Sequence, residues 1–440
     1  MQPIEIMIKT PSKLKANSNT VLFISPWEYS HFRLHSNIAL KLYENGNEII
    51  FCGFPDYKEK LEKEFAFIEI AALERPINSL TKRYEKQSQL SGYPALLNLV
   101  KDWNSDILLY LKYLPKAIEH KNIDLILFDQ ALVGISTLID YLKIPSVEIC
   151  NALAIVPREF LFHPVPTAPY LEYTYNPFKL VLNWRAGFRS GRNFYNNLIL
   201  ELNSFRIKNG MKRLLFNYQI FSNESELKLT QLIPELDYPK LFRRSRFHFL
   251  GSFSYQKPSE IDAPYNLEEI SKPIIYATIG TLQNMNLHIL KHIEQACEQL
   301  EVQLVIALGM RLDDSSPIKS MFKKETIVYD FPPQQQLMQQ ANLTIIHAGL
   351  NSTLESLCYG KPMICIPITH EQPQIAERMK RAKVAEVINL EELSSSKVSK
   401  SIKKIMSDES YTKRAENYGK LIRKAGGLEK AIELIEAVLN

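Results

Sequence analysis

No stretch of this 440-residue chain approaches about 18 uninterrupted apolar residues, and no signal-type apolar run precedes the first strand pattern. A membrane-spanning protein is therefore not expected, and the chain reads as cytoplasmic. Cysteine is scarce: Cys52, Cys150, Cys297, Cys358 and Cys365 show no C-x-x-C pair and no regular spacing. They read as free thiols in a reducing compartment. No period recurs at a fixed interval, which excludes a solenoid. Net charge is only +5, an excess too small to imply a nucleic-acid partner. Residues 1–19 form a short, partly basic leader that supports no reading.

What is present is enough for two cores. The chain is too long for one ordinary domain, and its residues are 45% hydrophobic. The first confident unit is strand Val21–Ser25, a loop Pro26–His35, a helix to about Asn45 with Gly46 at its C-terminal cap, and strand Glu48–Cys52. A second is strand Asp124–Phe128, Asp129, a helix near Val133–Leu142 and strand Ser146–Ile149. Prolines at Pro157, Pro164, Pro166, Pro169 and Pro177 then break the pattern, and a basic, aromatic helical stretch follows. Gly251–Pro273 is polar and proline-containing and reads as a linker. A new α/β pattern opens at Ile274–Thr278, with strands near Val302–Ala307, Thr326–Tyr329, Leu343–Ile346 and Met363–Ile366. The expectation is α/β: two doubly wound, Rossmann-like domains facing a central cleft. The first spans 1–250, the linker 251–273 and the second 274–420; a helix at 421–440 is placed to pack back on the first domain.

The chemistry concentrates in His347–Gln372, HAGLNSTLESLCYGKPMICIPITHEQ. A strand runs into His347 and Gly349, and a helix pattern begins at Asn351-Ser352-Thr353. Those three side chains are suited to cap the free N–H groups of a helix N-terminus. Such a terminus with a neighbouring histidine is an anion site, because free N–H groups and the helix dipole both favour negative charge. Glu371 and Gln372 follow the next strand and offer a carboxylate and an amide suited to sugar hydroxyls.

These residues resemble the family 1, UDP-sugar-dependent glycosyltransferases of the two-Rossmann-domain (GT-B) architecture, and within them the bacterial zeaxanthin glucosyltransferase type. The family's donor signature is P-Q, then H-x-G-x-x-S-T-x-E, then G-x-P, then P-x-x-x-D-Q. This chain has Pro333-Gln334, His347 to Glu355, Gly360-Lys361-Pro362, and Pro367 to Glu371-Gln372. The likeness extends to Ser30-His31-Phe32-Arg33, Asn37, Ala277 to Gln283, and Gln372 to Ala376. It is weakest over 55–120 and 175–245.

The resemblance implies an inverting, metal-independent transfer of a sugar, glucose by likeness to the zeaxanthin glucosyltransferase type, from a UDP-sugar to a hydroxyl of a lipophilic small molecule. The UDP-sugar is a co-substrate, and no cofactor or obligate protein partner is implied. His31 matches the general base, which an acceptor hydroxyl of high pKa requires. Asp129 matches the aspartate that fixes its tautomer and stabilises the imidazolium. Without the resemblance, His31 reads as a loop histidine and Asp129 as a helix cap. His347, Gly349, Asn351 and Ser352 match the diphosphate cradle, with Gly280 and Thr281 on the facing loop. Glu355 matches the ribose carboxylate, Phe331 and Gln334 the nucleobase side, and Glu371 and Gln372 the sugar-binding pair. No D-x-D pair ends a strand, so no metal site is expected. Two departures stand out: Glu371 replaces the usual Asp, and Pro332 has no N–H with which to read uracil.

The stretch 178–216 carries Lys179, Arg185, Arg189, Arg192, Arg206, Lys208, Lys212 and Arg213 with Trp184 and Phe188, and Glu201 is its only acid. Peripheral contact with anionic lipid is one reading; a solvated face of the acceptor-domain helices is the preferred one. His288 and His292 could be half a metal site, but an exposed helix face fits them better. Two rival functions remain: a non-hydrolysing UDP-sugar epimerase, disfavoured by the aromatic segment Phe160–Tyr175, and a non-catalytic nucleotide-sugar module, disfavoured by having both His31 and Asp129.

Overall fold

Parallel strands covered on both faces must be apolar along their whole length. The strand sequences TVLFI, LILFD and IIYAT meet that demand, and every residue in them is buried. The computed structural model describes residues 18–62, 64–154, 176–215, 217–221, 225–238, 247–254, 256, 267, 270–312 and 316–440. The leader at 1–17, the segment Phe160–Tyr175, the prolines Pro157, Pro164, Pro166 and Pro169, and most of the linker 251–273 lie outside the described residues.

The first half runs β1 (Thr20–Ile24), α1 (Tyr29–Glu44), β2 (Glu48–Gly53), α2 (Lys58–Leu61), β3 (Ala66–Glu69), α3 (Ser79–Ser88), α4 (Gly92–Ala117), β4 (Leu125–Asp129), α5 (Ser136–Leu142), β5 (Ser146–Cys150), α6 (Pro177–Lys208), β6 (Leu227–Thr230) and β7 (Phe247–Phe249). The second runs β8 (Ile274–Thr278), α7 (Leu287–Cys297), β9 (Gln303–Ala307), β10 (Ile327–Tyr329), α8 (Gln334–Gln340), β11 (Leu343–Ile346), α9 (Leu350–Cys358), β12 (Met363–Cys365), α10 (Gln372–Arg381), β13 (Ala385–Val387), α11 (Ser395–Met406), α12 (Ser410–Lys424) and α13 (Gly427–Leu439).

Among the described residues the strands form two sheets, ordered β3-β2-β1-β4-β5-β6-β7 and β10-β9-β8-β11-β12-β13. All pairings are parallel. Both orders reverse beside their first strand, between β1 and β4 and between β8 and β11. Open α/β sheets bind ligands in the crevice outside the strand ends at such a reversal. His31 follows β1 and Asp129 ends β4. Gly280 follows β8 and His347 follows β11. Each set of candidate residues therefore sits at the reversal of its own sheet.

The strand period of two divides the second domain's packing cleanly. Ile274 and Tyr276 of β8 point into the core shared with α8, α9 and α12, while Ile275 and Ala277 point into the one shared with α7 and α11. The chain then crosses back. Gly427 approaches the Ser252 carbonyl so closely that a Cβ would lie 2.7 Å from it. Past this crossing, α13 buries Ala431, Ile432 and Ile435 in the first domain's core. The crossing lies after α12, whose Ala415 and Ile422 belong to the second domain's core. The boundary expected at 421 thus falls inside that helix. The five cysteines are buried free thiols.

Removing the wholly buried Ile435 side chain should therefore unseat α13. Ile435→Ala is expected to cost about 2–5 kcal/mol in urea denaturation followed by circular dichroism. A loss under about 1 kcal/mol would show that α13 does not contribute a core contact.

Candidate functional site

Only a short turn separates β1 from α1, because Trp27 is buried at once and stacks on Phe32 with ring centroids 5.2 Å apart. The Glu28 carbonyl accepts from the His31 and Phe32 N–H groups at 3.0 and 2.9 Å. His31 is accordingly in the first turn of α1, not on the expected loop Pro26–His35, and helical geometry fixes its side-chain direction.

His31 Nδ1 lies 2.8 Å from Asp129 Oδ2, with side-chain exposures of 13% and 1%. A carboxylate only accepts, so Nδ1 carries the proton and the lone pair of a neutral ring sits on Nε2. Asp129 Oδ1 accepts the Ala131 N–H at 2.8 Å. Asp129 is not the cap of α5, which starts at Ser136. Burial would lower the His31 pKa, but the charge and hydrogen bond of Asp129, helped by Glu28 and Glu371, raise it to about 9. Burial would raise the Asp129 carboxyl, yet His31 and the Ala131 N–H hold it below its ordinary value. A second histidine underlies the pair. His35 Nδ1 donates to the His31 carbonyl at 3.1 Å and lies 3.8 Å from Asp129 Oδ2. Burial lowers the His35 pKa below its ordinary value despite Asp129.

Across the cleft, His347 occupies a slot that only glycines leave open. A Cβ on Gly280 would lie 2.5 Å from its ring, and one on Gly349 2.6 Å. Gly280 also has φ +78°, a left-handed conformation that favours glycine. Asn284 Nδ2 steadies this loop by donating to the carbonyls of Thr281 and Gly309 at 3.1 and 3.0 Å. Burial lowers the His347 pKa to about 4, so the ring is neutral, and Nδ1 has no hydrogen-bond partner among the described residues.

The expected capping by Asn351, Ser352 and Thr353 is corrected. Gly349 takes the N-cap without a side-chain bond, which places those residues inside the helix, where they cannot cap it. Thr353 Oγ1 donates back to the Gly349 carbonyl at 2.9 Å. Ser352 Oγ accepts from Gln334 Nε2 at 3.1 Å. Asn351 Oδ1 accepts from Gln231 Nε2 at 2.7 Å, and its amide donates to the Ser30 carbonyl at 3.4 Å. Asn351 thus bridges the two domains. The first-turn N–H groups of α9 keep the uncapped geometry that suits an anion.

Glu355 is wholly buried and accepts from Gln334 Nε2 at 2.6 Å, Ser254 Oγ at 2.8 Å, Gln335 Nε2 at 3.2 Å and Arg33 Nη2 at 3.4 Å. Phe331 meets Tyr29 edge-on, with centroids 5.0 Å apart. Gln372 Oε1 accepts from the Ile368 and Thr369 N–H groups at 2.8 and 3.0 Å. Its carbonyl oxygen is committed to its own loop, which leaves the amide NH2 for other partners. Burial raises the Glu371 carboxyl, against the pull of its own N–H and of His31. His370, just before Glu371, has φ +55° and a buried Nε2 with no hydrogen-bond partner among the described residues. Burial, with His31 and His347 nearby, lowers its pKa to about 3.

Sequence reasoning assigned no role to Arg33, Trp103, Gln231, Ser254, His35 or His370. Trp103 stands edge-on to His31, with ring centroids 5.8 Å apart. Arg33 lies in the stretch that carries the resemblance, but its partner Glu355 is distant in sequence and was not foreseen. His288 is exposed, and among the described residues no group of three His, Cys, Asp or Glu is placed to hold a metal.

The family model described as "UDP-glucoronosyl and UDP-glucosyl transferase" matches residues 219–438. A zeaxanthin glucosyltransferase of Pantoea ananas is 25% identical over 94% of this chain and 95% of its own length. An uncharacterized UDP-glucosyltransferase of Bacillus subtilis, YojK, is 21% identical over 96% of this chain and 98% of its own. Among solved structures, the glycotransferase of kitacinnamycin superposes with TM-score 0.74 at 16% identity, covering 96% of this chain and 100% of that one. The calicheamicin glycosyltransferase CalG4 gives 0.73 at 16%, covering 96% and 98%. The two facing sheets are the GT-B glycosyltransferase fold, and the chain belongs to the UDP-glucoronosyl and UDP-glucosyl transferase family.

Proposed function

We propose that this glycosyltransferase moves glucose from UDP-glucose to a hydroxyl of a lipophilic small molecule, with inversion and without a metal ion. The single observation that carries the mechanism is the 2.8 Å contact between His31 Nδ1 and Asp129 Oδ2. It reserves Nε2 as the base. Nε2 takes the acceptor hydroxyl proton as the oxygen forms its bond to the anomeric carbon. The bond from that carbon to the phosphate oxygen breaks, and UDP leaves with the electron pair. Attack opposite the leaving group inverts the configuration. The proton returns to solvent from His31, whose imidazolium Asp129 stabilises.

Charge developing on UDP would meet the N-terminus of α9 and the neutral His347 ring. These preorganised donors supply in place what a bound cation would otherwise give. In this reading Gly280 and Thr281 line the diphosphate, Phe331 stacks the base, and Glu355, steadied by Gln334, takes the ribose. Glu371 and Gln372 take the sugar. Arg33 positions Glu355 from the opposite domain. The glucose and the acceptor class rest on relatives named zeaxanthin glucosyltransferase, and the Trp103 wall beside His31 is consistent with an apolar acceptor.

His31→Ala is expected to lower transfer by about 10²-fold or more while UDP affinity stays unchanged, with wild-type activity surviving EDTA. Near-wild-type turnover in the variant would remove His31 from the chemistry.

A base titrating near 9 works only when deprotonated, so log kcat/KM should rise with pH and level off near 9. Asp129→Asn removes the charge that raises the His31 pKa. Its limb should shift to lower pH while its plateau rate falls. An unmoved limb would make Asp129 a structural residue only.

Hydrogen bonds to charged groups contribute about 1.5–3 kcal/mol, so Glu371→Ala should weaken use of UDP-glucose roughly ten- to a hundred-fold. UDP alone should bind almost as before. Equal weakening of both, read by calorimetry, would place Glu371 away from the sugar.

A further inference from the structure

Helix α6 opens cleanly: Asn176 caps it by accepting from the Phe178 and Lys179 N–H groups at 3.0 and 3.4 Å, and Pro177 fills the first turn. One face is fixed. Phe194, Leu198 and Leu202 are buried in the first domain's core. Asn104 of α4 donates to the Phe194 carbonyl at 2.8 Å, tying α6 to the helix that carries Trp103. The opposite face violates the usual helix pattern. Phe178, Val181 and Leu182 are each more than half exposed, Phe178 at 83%. Leu200 and Ile207, more than half exposed too, fall on the same stripe at helical spacing. Arg185 and Arg189 lie on that stripe between the two apolar groups, exposed and without an ion pair to any described residue. Glu201 is the only acid in the helix.

We infer that this outer face of α6 is a docking surface for an anionic lipid bilayer, with the helix lying in the plane of the interface. A solvated helix needs no row of exposed phenylalanine, valine, leucine and isoleucine. A protein-binding helix would not be expected to place cations in the middle of its apolar stripe with a single acid beside them. Two apolar groups flanking a pair of arginines on one face suit the boundary between acyl chains and phosphate headgroups. Arginine stems cover apolar surface while their guanidinium groups reach phosphate. The surface does not depend on the transferase reading. If that reading holds, docking brings the acceptor side of the cleft to the phase where lipophilic molecules concentrate.

The test is co-sedimentation of the full chain with large vesicles, either phosphatidylcholine alone or with phosphatidylglycerol, at low and high salt. The wild type should partition at least ten-fold more strongly onto the anionic vesicles, and salt should reverse this. Each arginine near an anionic surface contributes about five-fold, so Arg185→Gln with Arg189→Gln should lower partitioning about 25-fold. Phe178→Ser with Leu182→Ser should abolish it on both vesicle types. Both pairs face solvent, so thermal melting and UDP affinity should match wild type. Equal partitioning onto neutral and anionic vesicles, or variants that bind like wild type, would overturn the inference. So would a dimer in solution, dissolved by Phe178→Ser with Leu182→Ser, that does not bind vesicles; the face would then belong to a second copy of the chain.

Discussion

The hydrogen bond between His31 and Asp129 spans the point where the first sheet reverses direction, and the site is organised around it. Asp129 ends an otherwise apolar strand and is completely buried. An isolated carboxylate there would cost several kcal/mol or take up a proton. It stays charged because His31, the Ala131 N–H and the more distant His35 surround it. The same enclosure raises His31 and so gives the chain a strong base in a mostly buried position.

A single helical turn links that base to the donor half. Tyr29, Ser30, His31 and Arg33 all lie in the first turns of α1. Tyr29 touches Phe331, the Ser30 carbonyl accepts from Asn351, and Arg33 reaches Glu355. Each contact is modest, and an ion pair at 3.4 Å contributes little alone. Together they set the position of His31 relative to the N-terminus of α9. Further ties lie alongside: Thr369 Oγ1 donates to the Gly92 carbonyl at 2.7 Å, and the Gly92 N–H donates to the Ile368 carbonyl at 2.9 Å. A shift of α1 would therefore move His31 and disturb its neighbours' contacts with the second domain together.

Much of this was legible in the sequence where local chemistry decides. Ile274–Thr278 and Leu343–Ile346 read as strands and are strands to the residue, because continuous apolar runs bounded by polar turns allow little else. Gly46 follows α1 with φ +97°, as a helix-terminating glycine should. The spacing of His347, Gly349 and Glu355 marked the turn after β11 and the start of α9, and those residues lie there. What failed was local detail set by tertiary contacts. The stacking of Trp27 on Phe32 draws the start of α1 forward to Tyr29 and puts His31 on a helix. Gly349 takes a cap that Asn351 and Ser352 seemed suited to supply. The strands β3, β6, β7 and β13 are short and lie at or near the sheet edges, where polar residues weaken the pattern. Arg33 lies in a stretch that carries the resemblance but showed no partner, and Gln231 showed no signal, since their contacts exist only once the domains face each other.

The account depends on His31 being an imidazole that Asp129 holds with its proton on Nδ1 and its pKa far above the ordinary value. The most direct measurement is a nitrogen-15 NMR titration of the histidine side chains in the intact chain, with His31→Gln used for assignment. The account predicts that His31 titrates near 9, keeps its proton on Nδ1 when neutral, and loses the upward shift in Asp129→Asn. A His31 that titrates at or below 6.5, or that takes the other tautomer, would contradict it.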